Sequence, residues 1–421
     1  MNKSQSFVIK LGISTFFAYM SCYTCKNLLS AIKPEMIANG VFSKISIGNM
    51  SSAFFYAYAL GQLLNGLMGD KISPKKLVSL GLLCAGSVSI LFPIVAVSAV
   101  NGYILWAICG FMCSMLWGPL SKIIAENISE SKARTLMLSL TAASIAGQMV
   151  AYVIAAICSA AANWKTAFYI TGALLIAVSI TFYAAMTVLE KKGCIKYNLS
   201  SKNDKSITEN PETQSAATQK ISGKYLLSQG IIPAAFCVMT NGVVRNAISD
   251  WVPTYIVEAF DISVSSANTI SILLPIVNLF GAILSLKLLK YFNDNEHIFS
   301  AVLFGITVLL FAFMYFLGNI NTACTIAVLF IACALANAVA NLYFSVYVLR
   351  FSHTGKTSGI SGSLDCTAYI ASAAATSFIG FASENYGWTF TIGTWIIFAA
   401  IGAVSSLAAS AVTKKSNNLN D

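Results

Sequence analysis

Long, nearly uncharged apolar runs recur along the whole chain and constrain its fold more than any other feature. A helix needs about 20 mostly apolar residues to cross the hydrocarbon layer of a bilayer. Within lipid the backbone must satisfy its own hydrogen bonds, which leaves helices as the solution for such runs. The runs place helices near 7–30, 47–69, 77–98, 102–121, 136–160 and 165–188, and again near 226–250, 264–289, 297–317, 321–349, 357–382 and 387–413. Composition separates a bilayer from a large soluble core: 10% of the 421 residues are charged and 57% are hydrophobic, whereas an average soluble domain carries about 25% charged residues. The predicted fold class is therefore all-α integral membrane. The lysines of Met1–Lys10 imitate the head of a signal peptide, but no small-residue cleavage site follows, so the first run reads as a retained helix.

The runs fall into two sets of six, which predicts an N-terminal bundle over 1–188, a linker over 189–224 and a C-terminal bundle over 225–421. The linker is rich in Lys, Ser, Asn, Thr and Gln, has no apolar period, and reads as a mobile cytoplasmic segment. Charge tests the count. With the N-terminus inside, 21 of the 26 Lys and Arg residues fall in inside segments, and only Lys26, Lys33, Lys44 and Lys165 fall outside. That is the bias expected of cytoplasmic loops, and a missed helix would invert it from that point on. Both termini are thus expected in the cytoplasm, on a multi-pass protein of the cytoplasmic (inner or plasma) membrane. Topology accounts for the net charge of +10, and no basic cluster is interleaved with stacking aromatics, so no nucleic-acid partner is expected.

The segment Gly66-Leu67-Met68-Gly69-Asp70-Lys71-Ile72-Ser73-Pro74-Lys75-Lys76 follows the second helix. Small residues let two helices approach closely, and Asp70 with Lys71 suits a latch on a neighbouring helix end. Together with the six-plus-six plan, it resembles the loop between helices 2 and 3 of the major facilitator superfamily, whose halves are parallel repeats. The resemblance implies a twelve-helix major facilitator fold, two six-helix bundles related by a pseudo-twofold, with Asp70 and Lys71 as gating residues. The corresponding loop of the second half, Lys287 to Glu296, is degenerate.

Ionisable groups at membrane depth cost about 2.5–3.5 kcal/mol on insertion scales and usually face a cavity or a partner. Arg245, in Asn241-Gly242-Val243-Val244-Arg245-Asn246, carries a fixed charge on a planar fork suited to phosphate or carboxylate. Its readings are an anion site or an internal pair with Asp250 or Asp365. Lys26 lies late in helix 1, the repeat counterpart of helix 7. An offset of 220 residues sets Cys25 against Arg245 and Lys26 against Asn246, so the two cations would clamp one anion. The other reading of Lys26 is a lysine snorkelling to the outer interface. Asp250 precedes Trp251-Val252-Pro253, where the proline is expected to end or kink helix 7. Asp250 either holds that broken end or couples protons. Asp365 binds a proton or cation, or neutralises Arg245.

Gln62, Asn65, Asn337 and Asn341 are polar cavity candidates or interhelical hydrogen-bonding groups, and Asn337 and Asn341 share a helix face. Tyr56, Tyr58, Tyr343 and Tyr347 line the route or pack. His297 and His353 are expected in cytoplasmic loops without a role. The 11 cysteines have no disulfide-framework spacing and sit mostly in apolar runs, where they act as small hydrophobes. Cys22-x-x-Cys25 has redox spacing without a redox context.

Four passages carry a closer resemblance, to the organophosphate:phosphate antiporters of this superfamily, which include glycerol-3-phosphate and hexose-phosphate carriers. They are Tyr23-Thr24-Cys25-Lys26-Asn27, Ala31 to Met36, Asp70 to Lys76, and Arg245 to Tyr255 with its Asp-Trp-x-Pro-Thr-Tyr; Gly380 to Trp388 is a weaker fifth. The resemblance implies that an arginine from each half grips phosphate. Here helix 7 keeps it as Arg245, the helix 1 position reads Cys25 followed by Lys26, a helix 2 lysine reads Gln62, and a helix 5 histidine is replaced near Ala143 or Ser144. The site is less positive than the family's, which favours a less charged ligand than a phosphate dianion.

The expected function is secondary active transport of a small organic anion, a phosphate ester or a carboxylate, by alternating access. Arg245, Lys26, Gln62, Asn337, Asn341 and Tyr56 form the substrate set, and Asp250, Asp365, Asp70 and Lys71 the coupling and gating set. The partners are the anionic solute, a counter-anion or a proton, and the lipid bilayer, with the protein a monomer. Alternatives are a membrane sensor of an organophosphate or a proton-coupled exporter. An enzyme is not expected, for want of a nucleophile–base set, metal cluster or phosphate loop, and no cofactor is implied.

Overall fold

A computed structural model describes residues 3–68, 72–161, 163–195, 197, 223–318, 320–354 and 357–417. Twelve long helical stretches make up nearly all of them: α1 (Lys3–Ala38), α2 (Lys44–Met68), α3 (Pro74–Val95), α4 (Ala99–Asn127), α5 (Glu130–Ala161), α6 (Trp164–Lys191), α7 (Ile231–Phe260), α8 (Val264–Phe292), α9 (Glu296–Leu317), α10 (Thr322–Phe351), α11 (Thr357–Asn385) and α12 (Gly387–Asn417). Eleven of these are long and apolar enough to span a membrane. The exception, α2, has the length at 25 residues, but Gln62, Asn65 and its serines and tyrosines dilute its apolarity. Short connectors end in side-chain caps: Ser98, Asn163, Asn295 and Asn321 each accept from backbone N–H groups at the start of α4, α6, α9 and α10.

The helices differ from expectation mostly at their ends. α1 continues through Pro34 to Ala38, so Lys33 is a helix residue with no exposed surface rather than a loop lysine. α7 likewise runs on through Pro253 to Phe260 instead of ending there. The irregularity expected at the proline lies upstream, as a π-helical turn over Val243–Ile248. A second π turn, Leu342–Val346, interrupts α10. In the loop from α8 to α9, whose motif is degenerate, Asn293 and Asp294 both take a positive φ of 54°.

Two compact units emerge. One comprises Met1–Lys205 with Val252–Pro275, the other Ser206–Trp251 with Ile276–Asp421. The first unit therefore holds the six N-terminal helices plus the end of α7 and the start of α8. This added hairpin is fixed by Lys44 Nζ to Glu258 Oε2 at 2.7 Å, by Asn268 Nδ2 donating to the Ala31 carbonyl at 3.0 Å, and by Ser265 Oγ donating to the Ala156 carbonyl at 2.9 Å. Its core is aromatic: Phe92 stacks on Phe168 with centroids 4.7 Å apart, and Trp106 meets both edge-on. Glu35 accepts from the Trp164 backbone N–H at 2.7 Å and from Ser159, placing a carboxylate at the N-terminus of α6.

In the second unit His297 corrects its loop assignment. It is buried in the first turn of α9, where Nδ1 meets the Tyr343 hydroxyl at 3.0 Å. Beside it, buried Glu296 receives Arg350 through Nε at 2.7 Å and Nη2 at 2.8 Å. The two units share a packing device. Gly147 of α5 lies against the Met20 carbonyl of α1, and Gly110 of α4 against that of Phe54 in α2, where added Cβ atoms would fall 2.2 and 2.4 Å from the oxygens. In the other unit the same helix pairs cross tightly, but the glycine comes from the opposite partner: Gly242 of α7 against Ala368 of α11, and Gly281 of α8 against Ala334 of α10.

Candidate functional site

Arg245 sits inside the π turn of α7. Such a turn adds one residue to the helix and often marks a functional position. Its guanidinium lies over the Phe344 ring at 5.5 Å, and Phe344 belongs to the π turn of α10. Nη2 also stands 3.6 Å from Asp365 Oδ1, with the two side chains 19% and 27% exposed. Of the two partners anticipated, Asp365 is therefore the one in place. At this distance the pair is wider than a hydrogen bond, so it leaves guanidinium N–H groups able to serve a ligand. A cation–π contact contributes about 0.5–2 kcal/mol, which holds the fork in position without consuming its donors.

The Asp-Trp-x-Pro-Thr-Tyr passage pins α7 to α11. Trp251 Nε1 donates to Thr376 Oγ1 at 2.9 Å and to its carbonyl at 3.1 Å, and Thr376 Oγ1 donates to Asp250 Oδ2 at 3.1 Å. One residue past Arg245, Asn246 Nδ2 donates to Ser372 Oγ at 3.0 Å. Asp250 is thus engaged in fixing the helix that carries Arg245. The weaker Gly380–Trp388 match supplies Trp388, whose ring meets Trp251 at 6.3 Å and Trp395 at 6.4 Å.

In the first unit Lys26 Nζ lies 4.5 Å from the Tyr58 ring and 5.1 Å from Tyr23. Cys25, at the family's arginine position, points the other way and is completely buried. The sequence also supports a second repeat register. With an offset of 219 rather than 220, Lys26-Asn27-Leu28-Leu29-Ser30-Ala31-Ile32-Lys33-Pro34 aligns with Arg245-Asn246-Ala247-Ile248-Ser249-Asp250-Trp251-Val252-Pro253. Asparagine, serine and proline coincide, and Lys26 becomes the counterpart of Arg245. The shared Asn-x-x-Ser-x-x-x-Pro spacing was visible in the sequence.

The three asparagines among the remaining candidates are engaged in hydrogen bonds within or between helices. Asn341 Nδ2 donates to the Ala282 carbonyl at 2.9 Å and to Ser285 at 3.2 Å, tying α10 to α8, and its Oδ1 accepts from Ser345. Asn337 Nδ2 returns to the Cys333 carbonyl at 2.9 Å within its own helix. Asn65 donates to Ser114 at 2.7 Å. Gln62 is half-buried on α2, and Tyr56 is exposed on the apolar face of Leu60 and Leu63. Asp70 and Lys71 lie outside the described residues, as do residues 198–222 of the linker and the side chain of His353. The nearby Lys75 pairs with Glu190 of α6 and lies 5.4 Å from the Tyr183 ring. Phe344 and Thr376 were not anticipated, because only packing between helices gives them their places.

Residues 11–376 match the Major Facilitator Superfamily, and the chain belongs to it. It is thus a multi-pass membrane protein with the twelve-helix fold. Among curated relatives it is 25% identical over 291 residues to a probable hexose phosphate transport protein of Chlamydia muridarum, covering 66% of this chain and 63% of that one. It is 25% identical over 292 residues to the membrane sensor protein UhpC of Escherichia coli (68% and 65% covered). A glycerol-3-phosphate transporter of Bacillus subtilis is 25% identical over 319 residues (74% and 71% covered). The chain thus spans somewhat under two thirds of the first two relatives. These are organophosphate:phosphate antiporter family members, as the motifs implied. Among solved structures, a bacterial homolog of the human lysosomal transporter Spinster superposes with TM-score 0.78 at 12% identity over 99% of both chains. The xylose transporter XylE of E. coli gives 0.68 at 13% identity over 95% and 98%. Both support the fold alone.

Proposed function

We propose that this protein is a secondary active transporter of a small organic anion, a phosphate ester or a related monoanion, working by alternating access in a cytoplasmic membrane with both termini inside. The observation that carries the reading is Arg245: a permanent cation at membrane depth, part-exposed, held over Phe344 and only loosely opposed by Asp365. Relatives named for hexose phosphate and glycerol 3-phosphate transport support it. Charge bookkeeping sets the ligand class. Asp365 offsets the charge of Arg245 beside it, so the pair attracts a monoanion with less electrostatic penalty than a dianion.

Purified protein in proteoliposomes should take up labelled glycerol 3-phosphate or hexose 6-phosphate, faster when the lumen holds phosphate or the same ester. Binding without flux would instead favour a sensor, the role of the similar UhpC. Asp365→Asn should strengthen binding of a phosphate dianion about a hundredfold, the effect of one protein charge removed about 6 Å from two ligand charges at an effective dielectric of about 40. Titration of ligand affinity at a pH where the ester is fully ionised checks this. Unchanged or weaker binding would remove Asp365 from the ligand's surroundings.

A further inference from the structure

Four of the N-terminal unit's cysteines lie on two packed helices. Cys22 and Cys25 stand three apart on α1, and Cys109 and Cys113 four apart on α4, so each pair shares one face of its helix. Packing turns the two faces together. Cys25 Sγ lies 3.4 Å from Cys109 Sγ, and the Sγ atoms of Cys25, Cys109 and Cys113 all lie within 4.8 Å of one another. All three are buried, and Cys22 closes the side of the cluster by donating Sγ–H to the Cys113 carbonyl at 3.6 Å. Other buried thiols contact hydroxyls, as Cys237 does with Ser406 at 3.0 Å and Cys333 with Ser249 at 3.6 Å. Behaviour as a small hydrophobe explains each of those. It does not by itself explain three sulfurs converging from two helices.

We propose that Cys25, Cys109 and Cys113 form a binding site for a soft, thiophilic cation, Cu(I) before others. Sulfur donors select such ions over hard ones. The number of donors selects among them: structural zinc asks for four ligands, whereas Cu(I) is satisfied by two or three sulfurs. Binding exchanges protons for metal–sulfur bonds: Cu(I) with two thiols gives a bis-thiolate complex of single negative charge and two protons, and the third sulfur completes a trigonal set. No oxidant or reductant enters the step. The loaded ion would join α1 to α4 next to Lys26. The site is independent of the anion-transport reading.

The test uses full-length protein purified under reducing conditions, loaded with Cu(I) from its bicinchoninate complex, desalted and assayed for copper. One copper per chain is expected, with thiolate-to-copper charge-transfer absorption and loss of the ion on acidification as protons reclaim the sulfurs. Cys25→Ser and Cys109→Ser should each lower retention by more than about tenfold, while Cys237→Ser retains copper as wild type does. If Cys109→Ser fails to fold, Cys113→Ala reads the same property. Wild-type protein that holds no copper, variants that hold as much as wild type, or a Cys25–Cys109 disulfide found by peptide mapping would each overturn the site.

Discussion

Arg245→Ala is expected to reduce anion uptake in proteoliposomes to background while leaving the protein folded. The two halves of that statement have different physical origins. A hydrogen bond to a charged group contributes about 1.5–3 kcal/mol, so a fork making two such bonds to a phosphate or carboxylate accounts for roughly a hundredfold or more in affinity. For stability, the contacts being lost are a part-exposed ion pair at 3.6 Å, a class that contributes about 0–1 kcal/mol, and the contact with the Phe344 ring, about 0.5–2 kcal/mol. The fold around Arg245 is held by other groups, namely Trp251 on Thr376 and Asn246 on Ser372. Arg245→Lys keeps the charge but replaces the planar fork with a point charge, and should recover only part of the binding. Uptake by Arg245→Ala at the wild-type rate would remove the anion-site assignment.

The helices were legible in the sequence because each is a separate apolar run, and hydropathy needs no knowledge of neighbours. Helix ends were less so. Pro253 was expected to end or kink helix 7, but it sits inside the helix, as Pro34 does in α1 and as proline does where neighbouring helices satisfy the freed carbonyls. His297 looked like a loop residue because Glu296 precedes it and polar turn residues surround it. Its burial depends on Arg350, 54 positions away, arriving to neutralise Glu296. The candidate charges were named as residues, but a second repeat register went unread. Starting the repeat from Cys25 hid the coincidence of Asn27 with Asn246 and Pro34 with Pro253, which sets Lys26 against Arg245. The convergence of Cys25 with Cys109 had no local signal at all, since nothing in either helix alone tells which faces meet.

Gly242→Val should destabilise the protein by about 3 kcal/mol or more and lower transport even in the fraction that folds. A Cβ at this position would lie 2.4 Å from the Ala368 carbonyl oxygen and 3.0 Å from its carbonyl carbon and Cα. Those are backbone atoms, so no rotamer change relieves the overlap and α7 must move away from α11. Overpacking that shifts backbone costs about 1–3 kcal/mol, and more in a tight crossing. The displacement also stretches a hydrogen-bond cluster, because Ser372 Oγ donates to the Gly242 carbonyl at 2.9 Å and the Ala368 carbonyl at 2.6 Å while accepting from Asn246. Arg245 lies three residues along the same helix, so the fork moves with it, which is why transport should fall as well as stability. Gly305→Ala is the control: nothing lies within 4 Å of its added Cβ, and in a helix interior that change is neutral to favourable by about 1 kcal/mol. Thermal melts of the purified variants, followed by size-exclusion profile and tryptophan fluorescence, compare the two directly. A Gly242→Val protein that melts with wild type would show that the α7–α11 crossing is not closed as tightly as this geometry requires, and with it the placement of Arg245 over Phe344 would have to be given up.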